Sequence, residues 1–307
     1  MTLGVEKEFS TNLFYMDTYI NVKIYTTNNK AKTAFEEVES IYKEYHNLTN
    51  RYDKESALYK LNNEEVDSIY LDVDKKLYDL ISYGKDMYLE TNGLVNINMG
   101  NVIDIWKNYR DKGVGIPSIS ELKNSGSISI DNVILEDGKL LNKNFNIDLG
   151  AITKGYVTEI VGDYLESIGI NKYIINAGGN VKVGKSYNKD TFNIGIESPL
   201  KDGSIYQVIK GENISVVTSG SYERFYEYEG KLYHHIIDPN TLMPPNYMKS
   251  VTVITNDSKL ADTLSTTLFL MSVDDGLKFI EKYDNVEAIW FIDSDNIIKS
   301  KGFDKYE

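Results

Sequence analysis

Asp148-Leu149-Gly150-Ala151-Ile152-Thr153-Lys154-Gly155 joins a predicted strand to the start of a helix, and the fold reading turns on this junction and the segments after it. From Gly155 to Ile168 the pattern is helical, Gly169 is placed to be its C′ residue, and Tyr173 to Ile175 read as a strand. Backbone N–H groups at such a helix start, together with the ammonium of Lys154, can meet an anion. A solvated first-turn lysine explains Lys154 as well, although a cation there opposes the helix dipole.

Working outward, Ile20, Val22 and Ile24 alternate as in a half-buried strand, and a helix is expected from about Ala31 to Tyr45. A second is expected from Asp72, as N-cap, to about Leu89, and Ser118 with Glu121 makes a capping box after Pro117. Ile128 to Glu136 and Lys139 to Leu141 flank Asp137-Gly138 as a hairpin. On the other side, Tyr222 to Tyr228 and Lys231 to Ile237 flank Glu229-Gly230, and Asp238-Pro239-Asn240-Thr241 turns the chain. Val251 to Ile254 is a buried strand, helices are expected near Lys259 to Met271 and Asp274 to Tyr283, and strands close the chain. Strands and helices neither alternate strictly nor segregate, which makes the fold class α+β. The sequence has no internal repeat and no low-complexity linker.

A chain of 307 residues, 41% hydrophobic, can bury a sizeable core. Its net charge of -13 argues against a nucleic-acid partner, because binding a phosphate backbone depends on clustered Lys and Arg. An anionic substrate must therefore be held by local charge or by a metal. With no Cys there is no disulfide, thiolate site or cysteine nucleophile, and three His (His46, His234, His235) are too few for a histidine zinc site. No apolar run approaches the roughly 20 residues of a membrane span, and Met1 to Ser10 do not read as a signal peptide.

Gly179, Gly184, Lys185 and Ser186 satisfy the spacing of a phosphate-binding P-loop. The context is wrong: Val181 and Val183 alternate like a strand inside the supposed loop, and Tyr187-Asn188-Lys189-Asp190 reads as a turn where a helix should start. Asp262 and Thr266 are more promising, since residues four apart share one helix face and offer two hard oxygens. Magnesium takes one or two protein carboxylates plus phosphate oxygens and water. The commoner explanation of an Asp near a helix start is the dipole. His235, in His235-Ile236-Ile237-Asp238-Pro239, ends a strand where it could act as base or donor, or serve structure alone. Gly178-Gly179 after Asn176 marks a tight turn or a close ligand approach, and Tyr52 could stack on a ring, though most of the 24 tyrosines must be packing or surface residues.

Taken in order, these segments resemble the ApbE family of FAD:protein FMN transferases, from about Phe14 to beyond Met271. The likeness rests on Met16-Asp17-Thr18, on Tyr52 with Ser56 and Asn62, on Gly93 to Asn96, and on Asp148 to Gly155. It continues through Asn176 to Asn180, Thr218-Ser219-Gly220, His235 to Pro239 and Ala261 to Thr267. The resemblance implies one α+β, T-fold-like domain over residues 10–303 after a tail at 1–9, with two related lobes and FAD between them. It implies that Asp262 and Thr266 bind Mg2+, with the carbonyl of Ala151 and Ser265 completing the site. Met16, Tyr52, Leu94, Val95, Asn96, Asp148, Lys154, His235 and Ile236 would contact FAD.

By the same likeness, FMN passes from FAD to a Thr or Ser hydroxyl of a partner flavoprotein and AMP leaves, His235 or Asp262 assisting the hydroxyl proton. Hydrolysis of FAD to FMN and AMP, or FAD binding without catalysis, are the alternatives. Family members are often lipoproteins outside the cytoplasm, so the expected location is extracytoplasmic if a signal peptide has been removed and cytoplasmic otherwise. The family usually has Met-Gly-Thr, Phe-Asp and Thr-Gly where this chain has Met16-Asp17-Thr18, Val95-Asn96 and Thr241-Leu242. Asn96 keeps a hydrogen-bonding group but loses a charge.

Overall fold

The computed structural model describes residues 5–187 and 190–307. Strands β1 (Lys7–Tyr15) and β2 (Thr18–Thr26) form a hairpin whose turn residues Met16 and Asp17 both have left-handed φ, 53° and 58°. The first strand thus reaches into the segment expected as a tail, of which residues 1–4 lie outside the described residues. Helix α1 (Asn28–Thr49) buries Ala31, Ala34, Val38, Ile41, Tyr42 and Tyr45, the spacing of one helix face. After α2 (Ala57–Asn62) come β3 (Tyr70–Asp72) and α3 (Lys75–Glu90). The cap of α3 is Asp74, which accepts from Lys76 N at 2.8 Å, and not Asp72, which pairs with Lys139 in a sheet.

Helix α4 (Gly100–Lys112) has no counterpart in the sequence expectations and stops at Gly113, in the left-handed region. In α5 (Ile119–Lys123) the Ser118 hydroxyl accepts from Glu121 N at 3.1 Å, but the Glu121 carboxylate accepts from Tyr109 OH, so only half of the capping box forms. Strands β4 (Ile134–Glu136) and β5 (Lys139–Leu141) make the expected hairpin and are joined by β3 in the order β3-β5-β4. Ile128 to Val133 does not continue β4, because a 3-10 turn occupies Ile130–Asn132.

The second half supplies α6 (Thr153–Ser167), β6 (Tyr173–Ala177), β7 (Asn180–Val183), β8 (Phe192–Glu197), β9 (Ile205–Gly211) and β10 (Ile214–Gly220). β7 occupies the middle of the P-loop spacing, which bears out its rejection; Asn188 and Lys189 of the expected turn lie outside the described residues. Hairpin β11 (Phe225–Tyr228) and β12 (Lys231–His234) turns at Glu229-Gly230 with φ of 49° and 71°, the pattern of a type I′ turn. Its second strand stops at His234, three residues short of the expected end. The chain closes with β13 (Ser250–Thr255), α7 (Ser258–Phe269), α8 (Val273–Ile280), β14 (Glu287–Asp293) and β15 (Asn296–Lys299).

Eight strands make one antiparallel sheet in the order β1-β2-β6-β7-β10-β13-β14-β15. α1, α6 and α7 pack side by side on one face, α1 over β1 and β2, α6 over β6 and β7, α7 over β10 and β13. Successive residues of a strand point to opposite faces. Val217 and Val253 accordingly join the core under α7, while Val216 and Ile254 join one on the other face with Ile196, Ile209 and Phe303. With both faces covered, every residue of β13 is buried. A smaller core lies apart, where Met99, Val102 and Trp106 at α4 meet Tyr226, Ile237 and Leu242 around the β11–β12 hairpin. Among the described residues no helix is long and apolar enough to cross a membrane.

Candidate active site

The first turn of α6 cannot be capped by its own N-cap residue, because Ile152 has no acceptor in its side chain. Thr153 N donates back to Leu149 O at 3.0 Å, and Gly155 N donates across to Asp262 Oδ2 on α7 at 2.7 Å. So close an approach requires glycine: a Cβ on Gly155 would lie 2.4 Å from both Asp262 Cβ and the Ser258 carbonyl oxygen. Asp262 therefore does complement a helix dipole, but that of α6 and not of its own helix. The residue is 5% exposed, and burial raises its carboxyl pKa, opposed by the charge of Lys154 and the Gly155 N–H.

That bond leaves Asp262 Oδ1 without a protein donor among the described residues. Thr266, one turn on and half-buried, has no hydrogen-bond partner for its hydroxyl there either, nor has the Ala151 carbonyl, whose natural helical donor, Gly155 N, points at Asp262. Ser265 differs: it is fully buried, donating to Asp262 O at 2.9 Å and bonded to Ser219 Oγ at 2.8 Å. Lys154, at the second position of α6, has no carboxylate partner among the described residues, and its charge lowers the pKa of both Asp262 and His235.

His235 follows β12, its amide donating to Arg224 O at 3.0 Å. Burial pulls its pKa down to about 3, helped by the charges of Arg224, His234, Lys154 and Arg110, so the ring is neutral near pH 7. Its neighbour His234 is structural: Nε2 lies 2.7 Å from Pro245 O, Nδ1 takes the Ile236 amide at 3.3 Å, and the ring stands edge-on to Phe269 of α7.

A third group surrounds Asp148. Its Oδ1 accepts from Gly150 N at 2.8 Å and its Oδ2 from Arg51 Nη1 at 3.1 Å, while Arg51 Nη2 reaches Asp104 at 2.8 Å and Asn146 at 2.7 Å. The Arg51 guanidinium and the Lys107 ammonium lie 5.2 and 5.5 Å from the centroid of the exposed Tyr52 ring. Asn62 grips both the N–H and the C=O of Ile147 at 2.8 Å, which fixes the backbone that presents Asp148. Leu94 and Ile236 pack in the α7 core, Val95 is buried in the α1–α6 core, and the Asn96 amide is spent on Ile128 O and Asn98 N. Met16 sits on the β1–β2 turn with its amide donated to His46 Nδ1 at 3.1 Å. The two grooves beside α1, one lined by Ser40, Lys43 and Glu44 and the other by Phe9, Asn28 and Phe35, contain none of these residues.

Sequence reasoning missed the arginines. The chain has three, at 51, 110 and 224, against thirty lysines, and two of them form ion pairs here: Arg51 with Asp148 and Asp104, and Arg224 with Asp17 beside His235. Their rarity was the available signal, since a chain that otherwise uses Lys has reason to place Arg where several fixed donors are needed.

The ApbE family model matches residues 16–290. The chain belongs to the ApbE family. It is 32% identical to the FAD:protein FMN transferase of Klebsiella pneumoniae over 74% of this chain and 72% of that one. To the FAD:protein FMN transferase of Haemophilus influenzae it is 30% identical over 87% and 80%. The ApbE protein of Thermotoga maritima superposes with a TM-score of 0.89 at 26% identity, covering 98% of this chain and 99% of that one. The flavin transferase ApbE of Vibrio cholerae gives 0.84 at 23% identity, covering 98% and 100%, which speaks for the fold alone.

Two departures from the ApbE glycine pattern fall on left-handed residues. Asp17 at φ 58° tolerates that region better than most side chains and uses its carboxylate to reach Arg224 at 3.0 Å. Leu242 at φ 60° has no such tolerance; it is held by burial against α4 and by Trp106 Nε1, which donates to its carbonyl at 2.8 Å.

Proposed function

We propose that this protein is a magnesium-dependent FAD:protein FMN transferase, which moves FMN from FAD to a Thr or Ser hydroxyl of an acceptor flavoprotein and releases AMP. The observation that carries the reading is the oxygen of Asp262 left open by α6 near Lys154, neither having an opposite partner among the described residues, in a chain whose ApbE relatives bear that enzyme's name. Among the described residues no three His, Asp or Glu side chains converge, so a complete protein cage for a metal is not built. Asp262 Oδ1, the Thr266 hydroxyl and the Ala151 carbonyl are hard oxygen donors that suit a magnesium ion sharing its shell with phosphate and water. Ser265, occupied by Ser219, would support Asp262 from behind. When bound, magnesium supplies charge neutralisation at the pyrophosphate.

The chain's own residues do the rest. Lys154 and the N-terminal dipole of α6 hold phosphate oxygens. The Asp148–Arg51–Tyr52 group and Met16 line the flavin end, with Leu94, Val95, Asn96 and Ile236 shaping the walls. Neutral His235 accepts the proton of the attacking hydroxyl, and the negative pyrophosphate, by offsetting Lys154 and Arg224, raises its basicity for that task. A bond forms between the hydroxyl oxygen and the FMN-side phosphorus, and the bond from that phosphorus to the bridging oxygen breaks, leaving with AMP.

The deciding experiment incubates enzyme, FAD and Mg2+ with and without a Thr-bearing acceptor and weighs the acceptor. A mass gain of one FMN less water, with stoichiometric AMP, is expected; free FMN and AMP at the same rate without acceptor would make the protein a hydrolase. Asp262→Asn keeps an acceptor for Gly155 N but loses the charge, and should cost at least about a hundredfold in AMP release.

A further inference from the structure

α6 and α7 cap each other. Gly155 lies against Asp262 and Glu159 against Ser258, so the two helices run in opposite directions with the first turn of each beside the second turn of the other. Asp262 Oδ2 takes the amide of Gly155, the third residue of α6; in return Glu159 Oε2 takes the amide of Ser258, the first residue of α7, at 2.5 Å. The N-cap of α7, Asp257, already accepts from Lys259 N at 2.8 Å and Leu260 N at 3.1 Å, and Ser258 N is the donor left over.

Glu159 is itself held. Lys182 Nζ on β7 lies 3.1 Å from it and donates also to Asn256 O, at 3.1 Å, in the turn before α7. Both side chains are largely buried, and the lysine stem passes so close to Gly162 that a Cβ there would lie 2.6 Å from Lys182 Cε. Ser258 Oγ adds a bond to Asn180 Oδ1 at 2.9 Å. A buried ion pair contributes little net stability, because desolvation offsets its attraction, so this one calls for a role besides holding the fold. Its geometry supplies one: it fixes the first residue of α7, one turn before Asp262.

We propose that Glu159, the carboxylate paired with Lys182, is a positioning residue for the divalent-cation site, setting through the reciprocal cap the direction in which Asp262 presents Oδ1. The proposal rests on the metal reading of Asp262. Neither residue is assigned a contact with substrate.

Two double variants test it. Glu159→Gln/Lys182→Met and Glu159→Leu/Lys182→Met both remove both charges, so neither strands a buried ion, and only the first retains an acceptor for Ser258 N. Mn2+ binding to the FAD complex is counted by electron paramagnetic resonance, alongside the thermal midpoint and FAD affinity in EDTA. The Gln/Met protein should stay within about threefold of wild type for Mn2+, and the Leu/Met protein should bind it about tenfold or more weakly with FAD affinity in EDTA unchanged. Ser258→Pro gives an independent arm, since proline suits the first helical position and deletes the donor. It should weaken Mn2+ by the same factor as Leu/Met. Equal Mn2+ affinity in Gln/Met and Leu/Met, or unchanged affinity in Ser258→Pro, overturns the proposal and leaves the metal reading standing. A wild-type protein that binds no Mn2+ with FAD and ignores EDTA overturns the metal reading, and this proposal with it.

Discussion

The two sides of the site are built differently. The Asp262–Lys154 side is made where two long helices touch over the central sheet, with backbone amides bonded to buried carboxylates and no room for a methyl group at Gly155. The His235 side is a stretch just past a two-stranded hairpin, resting on the small core around α4 and held through a left-handed leucine. Under the proposed function, the charge to be held at fixed distances lies on the rigid joint, and the group that would meet a macromolecular hydroxyl lies just past the hairpin. That division suits a reaction in which one partner is a small anion and the other a protein.

The contrast can be broken most directly at Gly155. Gly155→Ala forces Asp262 and the Ser258 carbonyl apart, and should cost about 3 kcal/mol by urea unfolding, with loss of AMP release. An unchanged midpoint would show that the joint yields and is no more rigid than the hairpin. Leu242→Gly comes next: relief of left-handed strain opposes loss of a buried side chain, and packing should win, giving about 1–2 kcal/mol of destabilisation. FAD affinity should hardly change while FMN transfer falls. A stabilised variant would mean that strain, not packing, dominates there.

Acid should separate the sides by sign. His235, at about 3 in the folded chain against 6.5 free, leaves the unfolded state binding more protons between those values. Its stability contribution is therefore complete above pH 6.5 and is lost as pH falls toward 3. Asp262, raised above 3.8, binds its proton more readily when folded, so its contribution shrinks as pH rises through the raised value. Unfolding in EDTA between about pH 4 and 7 should show a shallower acid loss for His235→Gln and a steeper one for Asp262→Asn. Slopes that move the same way would contradict the assigned burial. The smallest effect is expected at Asp17→Asn, which removes an exposed ion pair to Arg224 and should cost less than about 0.5 kcal/mol. A larger loss would make that pair a real tie between the β1–β2 turn and the His235 hairpin.

Much of the joint is legible in the sequence because its signals are local. The helix start after Gly150, the helix of Asp262 and the buried β13 run all follow from periodicity, and their order carries the family likeness; the strand expected before Asp148 does not form, since the chain between Leu141 and Thr153 is a loop pinned at Ile147 by Asn62. The hairpin side is legible only in part: its turn follows from Glu229-Gly230, but α4 beneath it does not. Gly100 and Asn101 weaken the helical signal at its start, and its buried stripe within the helix is narrow, with Gly100, Val102 and Trp106 buried. Asp72 reads as a cap because an aspartate before a helical pattern looks the same whether it ends a strand or starts a helix; pairing with Lys139 decides it. The resemblance puts Ser265 in the metal site, and nothing local reveals Ser219, which reaches its hydroxyl from another element, β10.

By itself the sequence determined most element types, though not α4 or the 3-10 turn at Ile130–Asn132, together with the α+β class, the rejection of the P-loop and the two oxygens of Asp262 and Thr266 on one helix face. All of these depend on spacings of a few residues, which backbone geometry converts directly into shared faces. Tertiary structure alone decided that Asp262 gives one oxygen to the amide of Gly155 and keeps the other open, and that Glu159 returns the cap from α6. Those facts join residues about a hundred positions apart, and an orphan N–H at a helix start takes whichever buried acceptor the packing of the sheet and helices brings to it.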